Sequence, residues 1–322
     1  MKAIVQDRFG SPDALELREI DKPEVGDGEV LVGVQAASVN PADWYAMAGT
    51  PYVARPQMGL RKPRSNRVGL DLAGVVEAVG GQVTRFKPGD EVFGASTGTL
   101  AEFVAVPQDA LVPKPAKLSF EQAAAVPVAA LTALQGLRDK GRLQPGQKVL
   151  INGASGGVGT FAVQLAKSFG AEVTGVCSTR NLDMVASLGA DQVIDYTQED
   201  FTRSGRRYDL LLDVAGSRSW SACRQVLTPQ ATLVMVGAPK GSRLLGPLGH
   251  IVKVRLASLR ASQRVVFFIS KLHNQDLEVL RELLEDGTVT PVVERSYPLS
   301  EAADALRYLG EGHARGKLVV IV

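Results

Sequence analysis

The sequence is poor in the residues that build covalent frameworks. It has two cysteines, Cys177 and Cys223, among 322 residues. Two cysteines in apolar segments form no disulfide framework, so both are expected to be buried structural thiols. The N-terminus, MKAIVQDRFG, turns polar too early for a secretory signal. Together these features predict a cytoplasmic protein.

Long hydrophobic runs are missing as well. The longest apolar stretches, VLVGV and VVFFI, are far shorter than a membrane span. With 45% hydrophobic and 22% charged residues, the composition is that of a globular protein. A length of 322 residues suits two domains better than one.

An excess of one charge is also absent, since the net charge is only +2. A charge this small does not imply a nucleic-acid partner. Positive residues are nevertheless concentrated in two acid-free segments, residues 55–67 and residues 240–264. Each segment is either a solvated surface or a site of attraction for an anionic substrate, a phosphate group or a membrane.

Two different patterns follow one another along the chain. Up to about residue 120, short apolar runs bounded by turn residues predict a mainly antiparallel, barrel-like domain. A helix is expected over residues 119–141, with Ser119 as its N-cap. From Pro145 to about residue 238, strands alternate with helices, which indicates a doubly wound parallel sheet. The segment VVFFISK is its candidate last strand, and the mixed tail is expected to rejoin the first domain.

The stretch INGASGGVGT, residues 151–160, fits three motifs. The spacing G-x-S-x-G, centred on Ser155, matches the elbow that presents a serine nucleophile in α/β-hydrolases. Other glycine spacings match the short-chain dehydrogenases and a dinucleotide-binding loop of the form G-x-x-G-x-x-G. All three require a strand, a turn and a helix, so local structure alone does not choose among them.

The rest of the chain argues against the first two motifs. A hydrolase of this type needs an oxyanion loop upstream of the serine, and the three histidines (His250, His273 and His313) all lie downstream. A short-chain dehydrogenase needs a tyrosine followed by a lysine four residues later, and none of the six tyrosines has one. A P-loop fails too, because no Gly-Lys-Ser/Thr ends the motif. The dinucleotide-binding loop remains.

Each glycine of such a loop has a steric task. Gly153 makes the tight turn out of the strand, and Gly159 allows close packing of the helix on the sheet. Gly156 and Gly157 let backbone N–H groups approach a pyrophosphate at the positive N-terminus of the helix. Ser155 then supplies at most a hydroxyl to a phosphate oxygen.

The end of the second predicted strand indicates which dinucleotide binds. An NAD site usually places an acid about twenty residues past the first glycine, where it holds the ribose 2′-hydroxyl. This chain has VCSTRN there, with Ser178, Thr179 and Arg180 and no acid. Because a hydroxyl and a guanidinium suit a 2′-phosphate, NADPH is the predicted cofactor.

Seven stretches extend these motifs over nearly the whole chain. They are VNPADW, GLDLAGVVEAVG, FKPGDEVFG, AAAVPVAALTALQGL, VLINGASGGVGTFAVQLAK, VIDYTQEDF and YPLSEAADALRYLGEGHARGKLVV. The set resembles the medium-chain dehydrogenase/reductase superfamily, in its zinc-independent quinone oxidoreductase (zeta-crystallin-like) branch. The resemblance implies an α/β fold in which a doubly wound parallel (Rossmann) domain, residues 125–270, is inserted into a GroES-like, mainly antiparallel β catalytic domain, residues 1–124 and 271–322.

The resemblance also bears on zinc. Zinc alcohol dehydrogenases of the superfamily carry Gly-His-Glu where this chain has Gly69-Leu70-Asp71, and a cysteine near Asn40. A catalytic zinc needs three protein ligands. The four-cysteine structural zinc lobe is missing too, so the resemblance implies an enzyme without a metal site.

Cofactor contacts implied by the resemblance are distributed along the chain. The first group would lie near the pyrophosphate, and its first member would lie near the nicotinamide or the phosphates. The second group would surround the 2′-phosphate and the adenosine. The third group would line the rest of the cofactor cleft. In that order they are Thr132, Ser155, Gly156, Gly157 and Val158; Ser178, Arg180 and Tyr196; and Val236, Gly237, His313, Ala314 and Arg315.

Without zinc, the chemistry would rest on hydride placement and on a hydrogen-bond donor to the developing oxyanion. By resemblance, Asn40 and Tyr52 are the candidate catalytic residues, and Tyr52 would protonate or stabilise an enolate or quinol oxygen. TPYV lacks the proline that follows the tyrosine in the family, so Tyr45 or Asp43 is an alternative. The expected reaction is NADPH-dependent reduction of a quinone or an α,β-unsaturated carbonyl.

Two other functions stay open. An enoyl-thioester reductase would use the basic segment 55–67 for its anionic carrier. A non-catalytic NADPH-binding protein would present a basic surface to RNA, a membrane or a partner. The expected partners are a small-molecule electron acceptor and a second copy of the chain, with no nucleic acid and, as a weaker hypothesis, peripheral membrane contact.

Segment 240–264 carries a separate expectation. Apolar residues recur there at helical spacing, which predicts an amphipathic helix packed on the nucleotide domain or at a subunit contact. They are Leu248, Val252, Leu256 and Leu259.

Overall fold

The computed structural model describes residues 1–238 and 244–322. The chain folds into two units, one formed by residues 1–131 with 272–322 and the other by residues 132–271. The first unit thus contains both chain ends, and the second is inserted between its two parts. No helix within the described ranges is long and apolar enough to cross a membrane.

Strands and helices occur in both units. The strands are β1 (Lys2–Val5), β2 (Glu16–Glu19), β3 (Glu29–Val39), β4 (Asp71–Val79), β5 (Glu91–Ala95), β6 (Phe103–Pro107), β7 (Leu111–Pro113), β8 (Lys148–Asn152), β9 (Glu172–Cys177), β10 (Gln192–Asp195), β11 (Tyr208–Asp213), β12 (Leu227–Met235), β13 (Arg264–Phe267), β14 (Val293–Pro298) and β15 (Lys317–Ile321). The α-helices are α1 (Pro41–Ala48), α2 (Arg55–Met58), α3 (Phe120–Ala124), α4 (Pro127–Gln135), α5 (Gly157–Ser168), α6 (Leu182–Ser187), α7 (Trp220–Arg224), α8 (Pro247–Ala257), α9 (Asn274–Glu285) and α10 (Ala302–Glu311). Short 3₁₀ segments lie at Pro12–Ala14, Tyr52–Ala54, Gln108–Ala110, Thr179–Asn181, Phe201–Arg203 and Leu299–Glu301, and a π-helical segment at Gly136–Gly141.

The first unit is built on a seven-stranded, mainly antiparallel sheet. Its order is β14-β15-β3-β4-β5-β7, with β6 also paired to β3, and β1 and β2 form a separate hairpin sheet. The long strand β3 pairs with β15, β4 and β6, and its inward residues Val30, Val32 and Val34 lie in the core. The antiparallel β domain expected from the short apolar runs is confirmed.

The pairing of β15 with β3 positions a polar site. Leu318 lies opposite Val39 in this antiparallel pair. Lys317, one residue earlier, is therefore placed beside Asn40, where β3 ends and α1 begins. The helix α10 buries Ala305 and Leu306 in the same core, which ties the C-terminal segment to the unit.

The second unit holds a six-stranded parallel sheet in the order β10-β9-β8-β11-β12-β13. Counted within the unit, this order is 3-2-1-4-5-6, the arrangement of dinucleotide-binding sheets. Its central strands are buried on both faces, as their continuous apolar runs require. The predicted doubly wound sheet is confirmed, and the VVFFISK segment supplies its last strand, β13.

The helix predicted over residues 119–141 is interrupted. Ser119 caps α3 as expected, because its hydroxyl accepts a hydrogen bond from the backbone N–H of Gln122 at 3.2 Å. Pro127, however, has no N–H and disfavours a helical conformation at Val126. The chain therefore leaves α3 at Ala124 and starts again as α4.

The prediction for segment 240–264 is confirmed in part, because a helix forms and packs on the second unit, but it does so through Ile251 and Val254 and not through the predicted apolar stripe. The helix α8 forms, but Leu248, Val252 and Leu256 are 37%, 54% and 62% exposed, and Leu259 lies beyond its end at 70%. Val254 is the residue that it buries. Its basic neighbours Lys240 and Arg243 fall outside the described residues. A subunit contact at this helix stays a prediction.

Candidate functional site

The glycine loop joins β8 to α5 through a tight turn. Gly153 has a φ of +90°, a conformation that favours glycine. Its N–H donates to the carbonyl oxygen of Val176 at 3.1 Å, which ties the loop to β9. Gly156 is the extended N-cap residue, and α5 begins at Gly157. The strand, turn and helix that the motif requires are all formed.

Gly159 sets how closely α5 approaches the loop. A Cβ on Gly159 would lie 2.1 Å from the carbonyl oxygen of Gly153, too close for any side chain. The amides in the first turn of α5 have no acceptor within the helix, and the helix dipole makes this end positive. The loop is therefore shaped and polarised for an anion such as a phosphate.

Ser155, at the centre of the loop, is engaged by an amide. Its hydroxyl accepts a hydrogen bond from Asn181 Nδ2 at 3.1 Å. An amide offers no basic nitrogen that could take a proton from a serine hydroxyl. The arrangement provides no activation of Ser155 as a nucleophile.

The residues predicted around a 2′-phosphate lie at neighbouring strand ends. Ser178 follows β9 and Tyr196 follows β10, and β9 is the neighbour of β8 in the sheet. Arg180 and Tyr196 are exposed, the latter by 50%. The structure thus brings these three side chains to the same sheet edge from which the glycine loop leaves.

Asn181 is a candidate that the motifs miss. It is 3% exposed, and its Nδ2 donates both to Ser155 Oγ and to Ser178 Oγ, at 3.1 and 3.2 Å. It therefore couples the glycine loop to the end of β9. Its Oδ1 is buried and has no hydrogen-bond partner in the described part of the chain. The only signal in the sequence is its position in VCSTRN, where a polar residue at a helix start is common.

Asp195 is a second missed residue. It ends β10 directly beside Cys177, the last residue of β9. Its carboxylate accepts hydrogen bonds from the hydroxyls of Thr179 and Thr197, and the bond from Thr179 in particular lowers the pKa of Asp195. The spacing rule for an NAD site looks for an acid at the end of the second strand of the unit. Asp195 ends the third strand, so the rule does not find it.

The ends of β11 and β12 complete this edge. The N–H groups of Val236 and Gly237 donate to the carbonyl oxygen of Asp213 at 3.0 and 3.2 Å. A Cβ on Gly237 would lie 1.9 Å from the carbonyl oxygen of Val214, so no residue with a side chain fits at this position. The Asp213 carboxyl accepts from Asn152 Nδ2 at 2.7 Å, and its burial raises the pKa.

The remaining predicted cofactor residues lie in different places. Thr132, in α4, belongs to the second unit, and its hydroxyl donates to Ser270 Oγ at 2.8 Å. Residues 313–315 belong to the first unit, between α10 and β15. There His313 and Arg315 are exposed, and the Arg315 amide donates to Glu294.

A buried polar cluster lies in the first unit around Asn40, which is 2% exposed. Its Oδ1 accepts from Lys317 Nζ at 2.5 Å, and its Nδ2 donates to Asp71 Oδ2 at 2.9 Å. The same Asp71 oxygen lies 3.3 Å from Lys317 Nζ and accepts from the Ser38 hydroxyl at 2.8 Å. The cation and the carboxylate compensate each other and fix the orientation of the Asn40 amide between them.

Asp43 borders this cluster. It is 3% exposed, and its carboxylate accepts from the Asn40 backbone N–H at 2.7 Å as part of the capping box of α1. Burial, followed by the nearby charge of Asp71, raises the pKa of Asp43 to about 7. Lys317 and the Asn40 hydrogen bonds act in the opposite direction.

Tyr52, the other candidate catalytic residue, lies in an exposed 3₁₀ segment. Its ring is covered by the guanidinium of Arg55, whose Cζ lies 4.3 Å from the ring centroid. Arg55 also stacks on Phe9 and donates to the carbonyl oxygen of Gly49. Tyr45 is half-buried against Trp44, and burial raises its pKa.

The basic segment 55–67 is only partly a solvated surface. Besides Arg55, Arg64 donates to the carbonyl oxygen of Pro56, and the half-buried Arg67 donates to those of Gly98 and Phe103. Three of its five cations thus fold the segment onto its own unit.

Comparisons with known proteins show which family the chain belongs to. A family model for the alcohol dehydrogenase GroES-like domain matches residues 26–116, and one for zinc-binding dehydrogenase matches residues 188–320. The mouse protein (Mus musculus) NAD(P)H oxidoreductase RTN4IP1, mitochondrial, is 36% identical and covers 100% of this chain, which covers 89% of that protein. The chain belongs to the medium-chain dehydrogenase/reductase superfamily.

Two further relatives place it within the superfamily. The Triphysaria versicolor protein quinone-oxidoreductase QR1, chloroplastic, is 33% identical, with 99% of this chain and 98% of that protein covered. The solved structure of Escherichia coli quinone oxidoreductase complexed with NADPH superposes with a TM-score of 0.83 at 26% identity, covering 100% of each chain. This medium-chain dehydrogenase/reductase is an oxidoreductase of the quinone oxidoreductase-like branch.

One of the matching family models is described as zinc-binding. The described ranges, 1–238 and 244–322, contain no group of three or more His, Cys, Asp or Glu that could hold a metal. By the resemblance, Leu70, Asp71 and Asn40 stand where the zinc alcohol dehydrogenases carry their His, Glu and Cys. Independence of zinc stays a prediction.

Proposed function

We propose that this oxidoreductase uses NADPH to reduce a quinone or an α,β-unsaturated carbonyl, without a metal ion. The observation that carries the proposal is the strand-end edge of the second unit. There the glycine loop and the start of α5 at Gly157 lie at the same sheet edge as Ser178 and Arg180. An anion-binding turn beside a second cationic group is what a dinucleotide with a 2′-phosphate requires.

The residues at this edge fit the cofactor. The amides of residues 157–159 would hold the pyrophosphate, and Ser178 and Arg180 the 2′-phosphate, with the exposed ring of Tyr196 against the adenine. The buried, unpartnered Oδ1 of Asn181 is an acceptor that a ribose hydroxyl would satisfy. When bound, the dihydronicotinamide supplies a hydride, which carries two electrons.

In the first unit, Asn40 is the candidate hydrogen-bond donor to the substrate. One of the two Nδ2 hydrogens is directed to Asp71, and Lys317 holds the amide oxygen, so the second hydrogen is presented in a fixed direction. A donor held in place before the reaction stabilises the negative charge that develops on a carbonyl or quinone oxygen. Tyr52 stays the candidate proton donor.

The same cluster supports chemistry without zinc. Lys317 already places a positive charge 3.3 Å from Asp71. A divalent cation beside Asp71 would have to displace or face this buried ammonium, and Leu70 offers no ligand atom. The Asn40 amide, oriented by Lys317, would then supply the hydrogen bond to the substrate oxygen in place of a metal.

A substrate screen tests the proposed function. NADPH oxidation, followed at constant pH, is expected with 1,4-benzoquinone or with an enal, with one NADP⁺ formed for each two-electron reduction. Treatment with a chelator is expected to leave the rate unchanged. Turnover of crotonyl thioesters alone would favour an enoyl-thioester reductase instead. Tight NADPH binding without turnover on any acceptor, or loss of activity on chelation, would contradict the proposal.

A further inference from the structure

A cavity of about 540 Å³ opens on the second unit, within the range of small-molecule sites. Its lining residues are Arg207, Ser221, Arg224, Gln225, Leu227, Thr228, Pro229 and Gln263. Arg207 immediately precedes β11, Leu227 begins β12, and Gln263 immediately precedes β13. The glycine loop instead follows the carboxyl end of β8, so the cavity lies at the opposite edge of the same parallel sheet.

The charge of the cavity wall is positive. Two guanidinium groups line it, and no acidic side chain of the described residues does. Arg207 is held in the wall because its Nη1 donates to the carbonyl oxygen of Leu227 at 3.2 Å. Arg224 projects from α7. Two guanidinium groups that share a concave surface form a binding site for a doubly charged anion.

Asp209 lies behind this wall, bonded to the cavity residue Thr228. Its carboxylate accepts hydrogen bonds from the Thr228 hydroxyl at 3.3 Å and from the Lys148 amide at 3.0 Å. These donors partly balance its charge, and it does not line the cavity.

Gln263 favours a ligand that carries a hydrogen-bond donor. Its Nε2 donates to the carbonyl oxygen of Thr228 at 3.2 Å, which fixes the orientation of the amide. Its Oε1 is buried and has no partner among residues 1–238 and 244–322. A buried acceptor without a donor is rare and costs free energy. A ligand that carries an O–H or N–H group would remove that cost.

We propose that this cavity binds a small phosphate monoester that also carries a hydroxyl group, as a sugar phosphate does. The phosphate dianion lies between Arg207 and Arg224, and the hydroxyl donates to Gln263 Oε1. The carbon skeleton packs on Leu227 and Pro229. The site is separate from the proposed reductase chemistry and does not depend on it.

Calorimetric titration of the full chain tests this site, with saturating NADP⁺ to occupy the other phosphate-binding edge and no phosphate or sulfate in the buffer. Glucose 6-phosphate, the probe, is expected to bind, and glucose is not. Arg224→Gln is expected to lower the affinity at least tenfold, because it removes a charge-assisted bond. Gln263→Leu is expected to weaken glucose 6-phosphate without changing the affinity for inorganic phosphate.

Arg206→Gln is the matched control, since Arg206 is an exposed neighbour that does not line the cavity. It is expected to leave the affinity unchanged. Arg224 is exposed on a short helix, so its replacement leaves the core intact. Absence of glucose 6-phosphate binding, equal losses in Arg206→Gln and Arg224→Gln, or inorganic phosphate binding as tightly as the sugar phosphate would each overturn the proposal.

Discussion

Lys317 shows how a single buried charge organises the first unit. It is 4% exposed, and its ammonium is surrounded by Asn40, Asp71 and the carbonyl oxygen of Val39. The lysine lies in the GKLVV segment that carries the resemblance, yet a Gly-Lys pair before a strand reveals nothing about its partners. Only the register of β15 on β3 makes Lys317 a neighbour of Asn40.

Removal of Lys317 tests this interdependence. Lys317→Met leaves Asp71 buried without a counter-ion, and we expect it to lower the free energy of unfolding by about 3–5 kcal/mol. The double variant Lys317→Met/Asp71→Asn is expected to be more stable than Lys317→Met alone. Chemical denaturation of wild type, both single variants and the double variant measures the coupling. Additive effects would contradict a paired cluster.

Asp43 gives the first unit a pH dependence. The pKa of Asp43 is raised from 3.8 to about 7, chiefly by burial. The folded chain therefore keeps a proton that the unfolded chain has lost between about pH 4 and pH 7, so this group's contribution to stability falls as pH rises through that window. Above pH 7 the contribution levels off.

Denaturation curves at several pH values check this effect. The difference in unfolding free energy between wild type and Asp43→Asn is expected to change steadily from pH 5 to pH 7 and then stay constant, because asparagine does not titrate. Parallel pH profiles for the two proteins would show that Asp43 has an ordinary pKa.

At the residue scale, prediction from sequence succeeds at positions where local sterics require a particular residue type. The bare backbone at Gly153 and Gly159 follows from motif spacing alone. Asn181 and Asp195 do not, because their importance comes from the neighbouring strands β8, β9 and β10. Sequence distance does not report which strand ends meet.

At the scale of elements, the unit formed by β8, the glycine loop and α5 depends on Gly159. A methyl group there would lie 2.1 Å from the Gly153 carbonyl oxygen, whereas one on Gly156 would lie 3.6 Å from it. Gly159→Ala is therefore expected to destabilise the chain by about 1–3 kcal/mol, and Gly156→Ala by much less. Thermal denaturation of both variants measures the contrast. Equal stability of the two variants would contradict the proposed packing of α5.

Two helices show what sequence periodicity does not reveal. The apolar run over residues 119–141 predicts one helix, but the missing N–H of Pro127 divides it. The stripe in α8 predicts burial, yet periodicity states only that one face is apolar and not what covers it. The first error is local, because Pro127 is visible in the sequence, whereas the second arises from tertiary context.

At the scale of the molecule, the sheet of the second unit ends at β13, where Phe267 is 38% and nearby Ile269 78% exposed. An open apolar sheet edge is normally covered, so the homodimer expected from the sequence is predicted to form there. Light scattering should give twice the 34.2 kDa of one chain. Ile269→Lys should shift the mass toward one chain, whereas Val279→Lys, at an exposed position of α9, should not. A wild-type monomer would contradict this prediction.

The two-part organisation of the chain could be predicted because strand spacing changes near Pro145 and both chain ends carry family motifs. The glycine spacing also predicts a dinucleotide. The substrate could not be predicted, because the candidate groups Asn40 and Tyr52 are reached only through the resemblance. The cavity at Arg207 could not be predicted either, since its residues are scattered from 207 to 263.

The central claim is that the strand-end edge of the second unit binds a phosphorylated dinucleotide. Calorimetric titration of NADPH and NADH into wild type, Arg180→Gln and the control Arg203→Gln tests it most directly. The account predicts that wild type and Arg203→Gln bind NADPH at least tenfold more tightly than NADH. It also predicts that Arg180→Gln loses most of this preference while its affinity for NADH is unchanged. Absence of NADPH binding, or equal affinities for the two dinucleotides in wild type, would contradict it.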